Sequence, residues 1–206
     1  MKNANPGSLL SWANFLIEYS AWLDPVPGRE ASHIPGHNSS YKRDLLLEYG
    51  DSLEEWLEAE SLLHWDLKEK GFGLRLEPRA RTRHLNFSLF LPSLSLRFQA
   101  GRLFAGLRRN RMSAVSRIAF TGAFLLIPLV RLARILAEFR LPDRPSGKAL
   151  AALPWVCVLL LADALGEAAG YVSGPGRSAQ HIARIDFHRE KFLNARDMVF
   201  LNAHCV

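Results

Sequence analysis

The sequence predicts a mostly α protein with a small β element, ending in two apolar helices and a closing polar one. Three observations predict it. Helix start and stop signals bracket the segments before residue 87, period-two alternation is confined to two short stretches, and two long apolar runs lie beyond them. With 206 residues, 49% of them hydrophobic, the chain can bury a sizeable core and is too apolar for disorder.

Asn5-Pro6-Gly7-Ser8 is a turn with a helix cap, so a helix should run from about Ser8 to Trp22. "DPVPGREASHIPGHNSS" follows as a polar loop punctuated by Pro25, Pro27, Gly28, Pro35 and Gly36. A short helix should begin near Tyr41 and close at Gly50. A longer one is expected from about Leu53 to Lys70, with Gly71 beyond its C-terminus. "GLRLEP" and "ARTRH" alternate as two short strands would. Residues 88–111 form a basic amphipathic stretch. The apolar runs are "IAFTGAFLLIPLV" (118–130) and "ALAALPWVCVLLLADALGEAAGYV" (149–172). "SGPGRS" breaks the chain at 173–178, and a mixed-charge helix from about Arg177 to Asn194 should close it.

The formal charge is +6, with arginine far outnumbering lysine. Such a balance suits nucleic acid, an anionic membrane face or phosphate-bearing substrates. Nucleic acid is set aside: the arginines cluster around apolar segments rather than beside exposed aromatics, and no nucleic-acid-binding motif occurs. Cys157 and Cys205 make neither a disulfide framework nor a zinc knuckle, so a reducing compartment is expected. "MKNANPGSLLSW" has no apolar core of signal-peptide length, so export is not expected.

The first apolar run is too short to cross about 30 Å of hydrocarbon without including Arg131 and Arg134. The second reaches that length only by taking in Asp163 and Glu167. These two carboxylates should pack against Arg131 or Arg134, or sit at a wet end, because facing lipid is costly. Arg108, Arg109, Arg111 and Arg117 precede the first run; Arg131, Arg134, Arg140, Arg144 and Lys148 follow it. Charge on both sides fits helices dipping into one leaflet from the cytoplasmic face, or lying in the interface. Two buried helices of a soluble core are the alternative.

"PGHNSSYKRDLLLEYG", "EWLEAESLLHWDLKEKGFGLRLEPRARTRHLN" and "FQAGRLFAGLR" resemble, in order, the second half of bacterial family-two inverting glycosyltransferases with the GT-A fold. "LLLADALGEAAGYVSGPGR" resembles the membrane-associated C-terminal region many of them carry. The resemblance covers nearly the whole chain. It implies a partial GT-A α/β domain over 1–87, on the acceptor side, and a basic, membrane-associated helical region over 88–206. Pro35, Gly36, His37 and Asn38 would form a loop near the acceptor. Glu60 would be the catalytic base and His84 would complete a divalent metal (Mg or Mn) and diphosphate site.

A carboxylate base removes the acceptor hydroxyl proton during in-line attack, a contribution of about 10²–10⁴-fold. The usual Glu-Asp pair stands here as Ala59-Glu60, and Glu58 is the alternative base. Residues two apart on a helix point roughly 200° apart, so only one of the two can face the site. Trp56, Glu60 and His64 fall four apart, which on one helix suits a sugar platform beside a base and favours Glu60. Arg97 and Arg102 would contact diphosphate or lipid headgroups. On spacing alone, Glu54, Glu55, Glu58 and Glu60 read as a solvated helix face, and His84 by itself as a surface or core histidine.

The family's first half ends in an Asp-x-Asp, and this chain contains none. The resemblance therefore implies an activity split from its nucleotide-binding half. The partners would be a nucleotide-sugar donor, a glycan or polyprenyl-linked acceptor, the cytoplasmic membrane and a separate donor-binding polypeptide. By itself the chain is expected to be inactive. The alternative is a non-catalytic membrane-surface remnant.

Overall fold

The computed structural model describes residues 1–26, 28–141 and 147–204, without the side chains of 37 and 204. Pro27, Arg144 and Cys205 lie outside the described residues. The protein is mostly helical (67%), with a few short strands, as expected.

The chain opens with strand β1 (Lys2–Asn3) and helix α1 (Leu9–Tyr19), which starts where Ser8 accepts from the Ser11 amide and ends in a 3₁₀ turn, Ser20–Trp22. Strand β2 (Arg29–Ala31) and helix α2 (Arg43–Leu47) follow. The expected long helix is two: α3 (Leu53–Glu58) and α4 (Glu60–Glu69). Ala59, at φ −131° and ψ 66°, leaves helical geometry between them. Gly71 ends α4 at φ +87°, a conformation that favours glycine.

Strands β3 (Leu74–Leu76) and β4 (Arg83–His84) occur within the predicted stretches. They do not pair with each other. β3 runs antiparallel to β2, pairing Glu30 with Arg75, and β4 runs parallel to β1, pairing Asn3 with His84. Partners of two and three residues carry too little alternation to announce themselves.

The second part is helical: α5 (Phe90–Arg108), α6 (Ala114–Gly122), α7 (Leu126–Glu138), α8 (Lys148–Ala151), α9 (Leu153–Ser173), α10 (Ser178–Asp186) and α11 (Ala195–His204). The predicted closing helix is corrected to α10, a 3₁₀ turn at Arg189–Phe192, and α11. Gly174 (φ +80°) and Gly176 (φ +56°) make the break before α10. The apolar run at 118–130 is also broken, with α6 and α7 meeting at 70°.

α5 and α9 pack along their length through glycine. A Cβ on Gly166 would sit 2.0 Å from the Phe98 carbonyl oxygen, and one on Gly101 would sit 2.1 Å from that of Asp163. The largest core cluster joins Phe15 and Leu16 of α1 to Ile135 of α7 and to Val156 and Leu159 of α9. The two parts of the chain therefore share one core.

Candidate functional site

Glu60 opens α4, immediately after the Ala59 break. The turn Gly36–Asn38 lies against it so closely that a Cβ at position 36 would fall 1.2 Å from Oε2. A side chain there would have to displace the Glu60 carboxylate. Pro35 and Asn38 brace the turn: the Asn38 amide donates to the Pro35 carbonyl (3.2 Å), and Asn38 Nδ2 donates to the Ala80 carbonyl (3.2 Å). The turn also borders a cavity of ≈ 140 Å³ that Trp22, Pro35, Asn38, Arg75 and Glu77 help to line. The His37 side chain lies outside the described residues.

Behind the turn runs a chain of polar groups. Ser39 Oγ lies 2.8 Å from the Gly36 carbonyl, to which it donates, and 3.2 Å from the Tyr41 hydroxyl. That hydroxyl shares a 2.8 Å hydrogen bond with His64 Nε2, and the two rings stack. His64 is 1% exposed, and its Nδ1 is buried with no hydrogen-bond partner. Burial therefore holds His64 neutral, its pKa pushed down to about 4. The Tyr41 hydroxyl is raised, chiefly by burial, with the Glu60 charge contributing. Turn, tyrosine, histidine and Glu60 thus form one packed unit.

The other predicted site residues lie elsewhere. The helix break takes Trp56 off the face that Glu60 and His64 still share on α4, and His64 is buried where no sugar could rest on it. Trp56 packs edge-on against Tyr49, with the Arg111 guanidinium 3.8 Å above its ring. Glu58 is exposed at the end of α3, its carboxyl raised by desolvation and by Glu54 and Glu55. Arg97 is 3% exposed and donates to Asn14 Oδ1 (3.0 Å) and Glu18 Oε1 (2.6 Å), so it joins α5 to α1 instead of facing substrate. Arg102 donates to the Gly174 carbonyl (3.1 Å), just beyond α9.

His84 is buried in a network of its own. Arg189 Nη1 donates to His84 Nε2 (2.7 Å) and to the Leu85 carbonyl (2.7 Å), while Nη2 donates to Asp186 (2.7 Å). Because Nε2 accepts, Nδ1 carries the proton and donates to Asn86 Oδ1 (2.9 Å). In this arrangement neither ring nitrogen is open to a cation, and a guanidinium already lies where one would approach. Among the described residues no three His, Cys, Asp or Glu side chains are placed to hold a metal ion. As arranged here, His84 offers no ring nitrogen to the metal that the resemblance implies.

Sequence reasoning missed Ser39, Tyr41 and Arg189. The first two follow the Pro-Gly-His-Asn stretch directly, and a hydroxyl pair beside a proposed base was a usable signal. Arg189 stands 105 residues from His84, and nothing local announces it. Comparison with family models, curated proteins and solved structures finds no match to the chain.

Proposed function

We propose that residues 1–87 form the acceptor-side part of an inverting glycosyltransferase, with Glu60 as base. Transfer would run from a nucleotide sugar to a glycan or polyprenyl-linked acceptor at the cytoplasmic membrane. One observation carries the reading: the Pro35–Asn38 turn and Glu60, brought together by resemblance, lie in contact through a glycine no other residue could replace without displacing the carboxylate. Bare backbone beside a carboxylate lets an acceptor hydroxyl approach the base. Tyr41 and Ser39 hold the turn there.

Reconstitution with a nucleotide-binding half tests this. Glu60→Gln should lower kcat by about 10²-fold or more with acceptor KM nearly unchanged, and Glu58→Gln should leave kcat near wild type. The reverse pattern would transfer the role to Glu58. A second reading, a non-catalytic surface module, is favoured by the closed His84–Arg189 network. It predicts that neither substitution affects any transfer.

A further inference from the structure

Helix α9 is arranged inside out for a protein surrounded by water. Its two acidic side chains, Asp163 and Glu167, are buried, and Arg131 of α7 pairs with both. Its outward face carries Trp155, Val158, Leu161, Leu165 and Val172, with Leu161 45% and Leu165 52% exposed. From Pro154 to Val172 that face holds no charge over about 28 Å of helix. The same holds beside it: α6 exposes Val115 and Ile118, and α7 exposes Leu126, Leu129 (62%) and Val130. Both helices pack on α9, and Phe90 of α5 extends the surface through its ring contact with Trp155. A soluble helix shows the opposite pattern, with its ionisable groups turned outward.

We infer that α6, α7 and α9 form a single face that lies in the plane of an anionic bilayer, entering one leaflet without crossing it. The charge around the face selects the occupant. Arg134 of α7, Arg140 just beyond it and Lys148 at the start of α8 are exposed, and Arg109 reaches the far end of the face by donating to the Val172 carbonyl (2.9 Å). Cationic fringes around an apolar patch match anionic headgroups around acyl chains. A second copy of the chain would bring arginine against arginine. α9 has the length and hydropathy to cross a membrane, but its inner side decides against crossing. That side rests on α5 and α1, which enclose the Arg97–Glu18 pair and Asn14. Crossing would draw these groups and the polar first part into hydrocarbon.

Flotation of the full chain with phosphatidylcholine vesicles, with and without phosphatidylglycerol, tests the inference. Wild type should float with both, more strongly with the anionic vesicles, and high salt should remove only that preference. Leu129→Glu combined with Leu161→Glu changes exposed positions that fold in water. It should lower partitioning more than about tenfold. Leu47→Glu, on equally exposed α2, should leave it unchanged. Trp155 fluorescence should be quenched more by lipid brominated near the headgroup than near the acyl terminus, and Trp155→Phe should abolish the difference.

Wild type remaining at the bottom of the gradient with both vesicle types would overturn the inference. So would a stable dimer that binds no lipid, or quenching strongest at the bilayer centre. None of these readouts involves Glu60, so membrane docking and sugar transfer stand or fall separately.

Discussion

At residue scale, Gly36 and His64 make opposite demands on the fold. Alanine at 36 would meet only the far end of the Glu60 side chain, which can rotate away. Gly36→Ala should therefore change unfolding free energy by less than about 1 kcal/mol, while displacing the carboxylate and losing transfer in a reconstituted enzyme. Calorimetry alongside turnover checks the split. His64 acts through stability instead. Its folded pKa, near 4, lies below the usual 6.5, so between these values the unfolded chain takes up a proton that the folded one refuses. Stability should hold above pH 6.5 and fall by roughly 2–3 kcal/mol on acidification towards pH 4.5. His64→Gln, which can still bond Tyr41, should flatten that slope in urea titrations. The sequence placed both residues in the proposed site. It did not show that one is a contact and the other a buried support, because burial depends on Tyr41 folding back across α4.

At the scale of elements, what was legible followed from local chemistry. Ser8, Gly71 and the "SGPGRS" break set helix ends where expected, since caps and positive-φ glycines act within a turn. The break at Ala59 had no such mark, because alanine is the best helix former and only tertiary packing turns it out of the helix. The partners of β3 and β4 were hidden for a similar reason. Two- and three-residue strands are chosen by what they meet in space. The pairing of Asp163 and Glu167 with Arg131 was among the expected alternatives, since charges inside an apolar run must find partners. The α5–α9 contact gives the element-scale prediction. A methyl at Gly166 meets backbone, not a movable side chain, so Gly166→Ala should destabilise at or beyond the upper end of about 1–3 kcal/mol. Denaturant unfolding would show it, and a neutral outcome would mean the two helices can separate freely.

At the scale of the whole molecule, Ala59 and Leu62, packed with Leu103 and Leu107 of α5, tie the start of α4 and Glu60 to the helical part. A lipid face on α6, α7 and α9 would hold the Glu60 site at a fixed height above the bilayer, where a lipid-linked acceptor presents its sugar. On the function we propose, acceptor recognition would reside in this chain and donor recognition in a separate one. Amide NMR of the full chain in detergent tests it most directly, by titration with oligosaccharide or polyprenyl-linked acceptors and separately with uridine and guanosine diphosphate sugars. The account predicts acceptor-dependent shifts at Gly36, Asn38 and Glu60, lost in Gly36→Ala, and no saturable response to any nucleotide sugar. Micromolar binding of a nucleotide sugar, with silence towards every acceptor, would contradict it.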